Sequence, residues 1–226
     1  MTYGVRAGAT VLVGILVFVG LPVVAWGIND LPGFLASPGR LGYLVVALLL
    51  NTIIGIRMPE VGKQRVTPRR IVPRQNLAVA LLQVLSLAIV MVAPFCDRRG
   101  IAVVGGLEAI RFLGLGMYAL GLLLMHWTQT HLGRQFSVQV AIQDEHRLVT
   151  DGPYRFLRHP RYLGILVFSK GIALVFRSWI ALGLVAAIAV VLLWRIHDEE
   201  ALMREEFGAE WDAYCRTSWR LVPLVW

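Results

Sequence analysis

Charge-free apolar runs separated by short basic stretches set the plan of this chain. Residues 9–28 (ATVLVGILVFVGLPVVAWGI), 41–56 (LGYLVVALLLNTIIGI), 76–95 (NLAVALLQVLSLAIVMVAPF) and about 110–131 each reach or approach the length a helix needs to cross a bilayer. Two further runs, 162–176 and 179–194, are separated only by Arg177 and Ser178. That pattern predicts a tight helical hairpin, each arm near the minimum crossing length. From residue 195 onward the chain is charged and helical in pattern. The expected fold is all-α: a polytopic integral membrane helical bundle of about five to six transmembrane helices, with a C-terminal helical hairpin and a cytoplasmic C-terminal helix. The first run has a long apolar core and no clean small-residue cleavage site, so it reads as a retained helix rather than a signal peptide.

Composition agrees with that picture. Hydrophobic residues make up 57% of the 226 and charged residues 16%, against roughly 45–50% and about 25% in a soluble domain. A disordered chain, a disulfide scaffold and a water-soluble enzyme are excluded. The net charge of +8 raises the question of sidedness rather than of nucleic acid. Segments 57–75, 134–161 and the tail, together with Arg6, hold 16 of the basic residues; the alternate loops hold four, Arg40, Arg98, Arg99 and Arg177. An even number of crossings follows, with both termini cytoplasmic. On that topology Cys96 and Cys215 lie on opposite sides of the bilayer and cannot pair.

Gly114, Gly116 and Gly121 in GLGMYALG have the look of a dinucleotide loop, but they lie inside an apolar span with no strand before them. Close helix packing is the expectation there. The chain divides into 1–131, N-terminal transmembrane scaffold helices, and 132–226, where the unusual polar residues sit.

Within 146–164 (HRLVTDGPYRFLRHPRYLG) residues that bind anions or stack on rings are concentrated: His146, Tyr154, Arg158, His159 and Tyr162. Gly152-Pro153 supplies a turn, and Pro160 disfavours helix at His159 while starting one itself. Arg158 and His159 would then stand at a helix entrance suited to a carboxylate or phosphate. Arg155 and Arg161 are read as positive-inside arginines. In the tail, Arg195 and Glu199 head a stripe continuing through Met203, Phe207 and Trp211 at four-residue spacing. A charge pair at the head of an apolar stripe suggests function. Asp198, Glu200, Glu205, Glu206 and Glu210 are read as solvated. His197-Asp198-Glu199-Glu200 points around a helix, and His126 and His131 are five apart, so no metal site is expected.

These residues resemble the isoprenylcysteine carboxyl methyltransferase family, with its bacterial and archaeal members, and more loosely the phospholipid N-methyltransferases. The resemblance rests on His146-Arg-Leu-Val149, Gly152-Pro-Tyr154, Arg158-His-Pro160, Tyr162, Gly164, Arg195, Glu199-Glu200, Phe207-Gly208 and Tyr214, covering about 130–223. It implies an integral membrane methyltransferase that uses S-adenosyl-L-methionine (SAM). The cofactor site would comprise His146, Leu148 and Val149 near adenine, Gly152 and Tyr154 shaping the pocket, then Arg158, His159, Tyr162, Gly164 and Glu199. Arg195 and Glu199 would be catalytic, Arg195 holding an anionic acceptor. The implied partners are a lipophilic methyl acceptor, prenylcysteine-like or another lipid, and membrane lipids, with no nucleic acid. The implied setting is a bacterial inner membrane with the site on its cytoplasmic side. Membrane sterol and steroid reductases, which use NADPH, share Arg158-His-Pro-Arg-Tyr-Leu-Gly164 and a tail like 207–215. The segment His146–Tyr154 and the Arg195/Glu199 spacing favour methyl transfer.

Overall fold

The computed structural model describes residues 3–57, 68–71, 75–106, 108–133, 141–143 and 148–223. The first apolar run is a single span, Ala7–Trp26. Within it α1 (Tyr3–Ile15) passes through one π-helical turn (Leu16–Gly20) into α2 (Leu21–Trp26). A short α3 (Leu31–Leu35), capped by the Asp30 carboxylate accepting from the Gly33 amide at 3.1 Å, leads to α4 (Pro38–Arg57). Next come α5 (Gln75–Arg99) and α6 (Glu108–Leu132), both long and apolar enough to cross a membrane.

The predicted hairpin is present. Its first arm is α7 (Pro160–Val175), starting at the proline expected to start it. Its second arm, α8 (Trp179–Phe207), begins at Ser178, whose hydroxyl accepts from the Ala181 amide at 3.1 Å. This arm runs 29 residues without a break, so the charged tail is the continuation of a membrane helix. Gly208 then adopts φ +51°, a conformation open to glycine, and α9 (Ala209–Thr217) turns away. That turn interrupts the stripe expected to run on to Trp211, which is buried on α9 instead.

Two ends of the bundle can be told apart by what pairs there. Strands β1 (Pro68–Ile71) and β2 (Ala141–Gln143) pair antiparallel, joining the α4–α5 and α6–α7 connections at one end. The C-terminal segment joins the same end through a bridge between Leu157 and Trp219. At the opposite end Val103 and Ser178 bridge the α5–α6 and α7–α8 turns. Helix α7 connects the two ends although it has only 16 residues. The described parts of the basic segments 57–75 and 134–161, and the described part of the tail, therefore share one end, here called the tail end.

Helices α6 and α7 pack at backbone contact. A Cβ on Gly121 would fall 2.4 Å from the Phe168 amide nitrogen, and one on Gly171 would fall 2.3 Å from that of Tyr118. Gly114 and Gly164 sit in the same seam, whereas Gly116 faces open space. The expectation of close packing holds for Gly114 and Gly121. Away from the tail end the core is a column of rings: Trp26, Phe34, Phe176, Tyr43, Tyr118, Phe168 and Phe18, with successive centroids 4.9–5.9 Å apart. Most of these pairs are edge-to-face, the arrangement favoured by the ring quadrupole.

Candidate active site

The site is built where α7 begins and α8 leaves the apolar layer. Pro160 denies helix to His159 (φ −123°, ψ 54°), so Arg158 and His159 stand at the helix entrance in non-helical backbone. The C-terminal segment holds them there. The Arg158 amide donates to the Trp219 carbonyl (2.8 Å), the His159 amide to that of Arg220 (3.1 Å), and the Trp219 amide to that of Phe156 (3.0 Å). The Arg158 guanidinium donates to Glu200 (3.1 Å) and to the carbonyls of Cys215 (3.1 Å) and Ser218 (2.5 Å). Arg220 reaches the other Glu200 oxygen at 2.7 Å, and His159 Nε2 lies 3.3 Å from the same carboxylate. Glu200 is therefore a buried hub for three basic groups, not a solvated acid. Asp198 is buried too, 3% exposed, and accepts from the Gln75 amide group. Both departures have one cause. At about 100° per residue, positions 198, 199 and 200 face three directions, and at this level each direction is occupied: by the start of α5, the start of α7, and the C-terminal segment.

Glu199 takes the α7 side. The Tyr162 hydroxyl donates to Glu199 Oε2 at 2.5 Å and accepts from Arg195 Nε at 2.7 Å. Arg195 and Glu199, one helical turn apart, are thus joined through a phenol supplied by α7. The His159 ring lies parallel to that of Tyr162, interplanar angle 4° and centroids 5.5 Å apart, with Nδ1 3.9 Å from Glu199. A small polar cavity of about 60 Å³ opens here, lined by Leu132, Tyr154, Arg158, His159, Pro160, Arg161, Tyr162 and Glu199. Burial, and next the Glu199 carboxylate, raise the Tyr154 phenol above its ordinary value, so Tyr154 is a neutral hydrogen-bonding ring. Burial likewise pushes Tyr214 up to about 12; its hydroxyl donates to the Tyr154 carbonyl at 2.6 Å.

A second, larger cavity lies on the membrane side, about 630 Å³, within the usual roughly 300–1,000 Å³ of small-molecule sites. Its walls come from α5, α6 and α7, with Val17 and Phe18 from the π-helical turn, Ile54 from α4 and Arg195 from α8. Most lining side chains are apolar. Arg161 and Tyr162 line both cavities, and Arg195 lines the larger.

Of the residues singled out from sequence, Tyr154, Arg158, His159, Tyr162 and Glu199 line the polar cavity, and Arg195 joins them through Tyr162. Gly152 sits in the adjoining turn at φ +55°, where a Cβ would fall 2.4 Å from the His131 imidazole. Leu148 and Val149 are half-buried ahead of that turn. Gly164 faces Met125 in the α6–α7 seam and lines neither cavity. His146 lies outside the described residues.

Two contributors were missed. Arg161, taken for a positive-inside arginine, lines both cavities, because α7 starts at Pro160 and its first turn presents positions 161 and 162 to the site. His131 bonds Asp151 at 2.9 Å and stacks on Tyr154, fixing the turn before α7. That bond is the main cause holding the Asp151 carboxylate below its ordinary value. Spacing within the motif could not reveal His131, which lies 20 residues before Asp151.

Fold and site together define a polytopic helical membrane protein with a polar cavity at one end abutting an apolar one within the bundle. Residues 114–205 match the family model described as the isoprenylcysteine carboxyl methyltransferase (ICMT) family. A probable protein-S-isoprenylcysteine O-methyltransferase of Oryza sativa subsp. indica is 24% identical over 164 residues, 70% of this chain and 84% of the relative. Protein-S-isoprenylcysteine O-methyltransferase B of Arabidopsis thaliana is 32% identical over 119 residues, 50% of this chain and 58% of the relative. The solved structure of a eukaryotic intramembrane Ras methyltransferase, ICMT, has the same fold at a TM-score of 0.51 and 19% identity, covering 97% of this chain and 98% of that one. Over residues 114–205 the chain is thus similar to the isoprenylcysteine carboxyl methyltransferase family, and it shares the fold of that solved structure.

Proposed function

We propose that this protein transfers a methyl group from SAM to the carboxylate of a lipophilic, prenylcysteine-like acceptor. The observation that carries this reading is the Arg195–Tyr162–Glu199 chain standing where a polar cavity meets an apolar one. The donor set suits one end of the cofactor: Arg158 and Arg161 offer cationic groups and His159 a ring nitrogen to a carboxylate, and Glu199 offers an anion to an ammonium or sulfonium. At about 60 Å³ the described cavity holds that end only. Leu148, Val149, Gly152 and Tyr154 stand on the approach to it and would take the adenosine side.

Bound SAM supplies an electrophilic methyl carried on a sulfonium. What the chain must add is alignment and exclusion of water, since displacement at that methyl requires no nucleophilic side chain. Arg195 and Arg161 would orient the acceptor carboxylate at the mouth of the apolar cavity. Tyr162, neutral and donating to Glu199, keeps the Glu199 carboxylate turned toward the polar cavity while accepting from Arg195. A carboxylate acceptor carries no proton to be removed, so no general base is required. The apolar cavity would take the hydrocarbon tail directly from the bilayer.

The division of labour we propose follows the chain. Residues 132–226 hold the cofactor, and residues 1–131 provide much of the acceptor's wall. The basic bias of the tail end supports a cofactor entrance on the cytoplasmic face. Purified protein in detergent, given methyl-labelled SAM and S-farnesyl-N-acetylcysteine, is expected to form a base-labile methyl ester and to bind SAM but not NADPH. NADPH binding without SAM binding would establish the reductase reading instead.

A further inference from the structure

A lysine stands on the lipid side of the bundle. Of the 22 basic residues only Lys63 and Lys170 are lysines, and Lys170 lies within α7, inside the apolar hairpin. It is exposed, and among the described residues it has no ionic or hydrogen-bonding partner. Its place on the helix explains both facts. Gly164, Phe168 and Gly171 face α6, and Ile172 enters the core. At about 100° per residue, Lys170 then points outward with Leu163, Val167 and Leu174, which are only half-buried. A charge on the lipid face of a membrane helix is costly, and it persists where something outside the helix answers it.

Depth narrows what that can be. The 16 residues of α7 span about 24 Å, against a hydrocarbon layer of roughly 30 Å. Such a mismatch is met by thinning the bilayer and by long side chains reaching for the headgroups. Lys170 is about 15 Å from Pro160 but only about 8 Å from Val175, so its stem reaches for the leaflet away from the tail end. Arg177 stands at that same end of α7, its side chain 27% exposed. Its bonds to Asp97 and to the Gly106 carbonyl are long, 3.5 and 3.4 Å, and its Nε has no acceptor among the described residues.

Charge decides the class of occupant. This half of the bundle holds six cations, Arg40, Arg98, Arg99, Arg111, Lys170 and Arg177, against three acids, Asp30, Asp97 and Glu108. Those acids already meet Arg40, Arg98, Arg111 and Arg177. No Asp or Glu falls within any of the apolar runs, so a second copy of this chain offers no acid from its spans at the depth of Lys170. Phospholipid phosphates are the anions a membrane supplies there. We propose that Lys170 and Arg177 form a site for the headgroup phosphate of an anionic phospholipid in the leaflet away from the tail end, with an acyl chain along Val167 and Leu163. The lipid would pin the α7–α8 turn, which is tied to the α5–α6 turn through the Trp179 amide on the Ala102 carbonyl (2.9 Å) and the Val104 amide on that of Arg177 (2.6 Å). The site is independent of the methyl-transfer reading.

The test uses the full chain in detergent, stripped of lipid and incubated with equal amounts of dioleoylphosphatidylglycerol and dioleoylphosphatidylcholine. Native mass spectrometry reads which lipid is retained, and thermal unfolding reads stabilisation by each lipid alone. Wild type is expected to retain the anionic lipid preferentially and to melt higher with it. Lys170→Gln and Lys170→Leu lower that preference about fivefold, the scale of one cation meeting an anionic membrane surface, while Lys170→Arg keeps it. Arg155→Gln, which removes an exposed charge at the tail end, changes it less than twofold. Equal retention of both lipids by wild type overturns the site, as does an unchanged preference in Lys170→Gln or an equal loss in Arg155→Gln. An acidic membrane polypeptide that copurifies with wild type and is released by Lys170→Gln, without lipid preference, assigns the lysine to a protein partner and overturns the lipid site.

Discussion

Each end of the bundle gathers arginines around buried carboxylates, yet the two gatherings differ in kind. At the end away from the tail, Asp97 accepts from Arg40 (3.1 Å), Arg111 (2.7 and 3.0 Å) and Arg177 (3.5 Å). Arg40 also donates to the carbonyls of Phe34 and Gly33, and Arg111 to that of Val175. These bonds tie α3, α4, α5, α6 and the α7–α8 turn together, directly against the ring column. At the tail end Glu200 does comparable work for the C-terminal segment. One position earlier, Glu199 faces a cavity through Tyr162. The same pairing of guanidinium and carboxylate is thus a clamp where it is surrounded by packed backbone and a site where it borders space. Residue type alone does not distinguish them.

The sharpest way to break this contrast is to remove a carboxylate from each end. Asp97→Ala is expected to cost about 3–5 kcal/mol, because two buried arginines, Arg40 and Arg111, and the half-buried Arg177 lose their common partner; thermal unfolding in detergent reads it. Glu199→Gln should leave the unfolding midpoint near wild type while turnover falls about a hundredfold, the scale of removing one positioned polar group from an active site. Similar stability losses in both variants would erase the distinction. Next in size, Gly171→Val forces the α6–α7 seam apart and is expected to cost about 1–3 kcal/mol from overpacking. Arg220→Ala comes after it. Its side chain is one-third exposed, so the loss should stay near 1 kcal/mol or less, with faster amide exchange at Arg158 and His159 as its mark.

The smallest effect concerns pH. The bond from His131 lowers the Asp151 carboxylate, so the contact is in place above the ordinary carboxylate range and is lost as pH falls through the lowered value. Faster exchange of the Tyr154 amide, which donates to the Asp151 carbonyl, should accompany that fall.

Much of this was legible along the chain because membrane spans announce themselves as uninterrupted apolar runs. The hairpin at Arg177-Ser178 followed from two such runs meeting, and the start of α7 from Pro160. The seam at Gly114 and Gly121 followed from small residues inside a span. Residues that share a motif with Pro160, such as His159 and Tyr162, were found for the same local reason. What periodicity could not convey is which sides of a helix are covered at a given height. Asp198 and Glu200 looked solvated because the cover comes from Gln75 and Arg220, far away in the chain. Arg161 looked like one more interfacial arginine until the first turn of α7 was set against α8. The larger cavity left no trace in the sequence, since its walls come from six helices.

We propose that Glu199, held by Tyr162, serves a methyl-transfer site while Glu200 beside it serves the fold. The most direct measurement is methyl ester formation from labelled SAM and S-farnesyl-N-acetylcysteine by wild type, Glu199→Gln and Glu200→Gln, each normalised to its folded fraction. Glu199→Gln is expected to be folded and nearly inactive, and Glu200→Gln to lose stability while its folded fraction keeps the greater activity. A fully active Glu199→Gln, or no methyl ester from wild type, would contradict it.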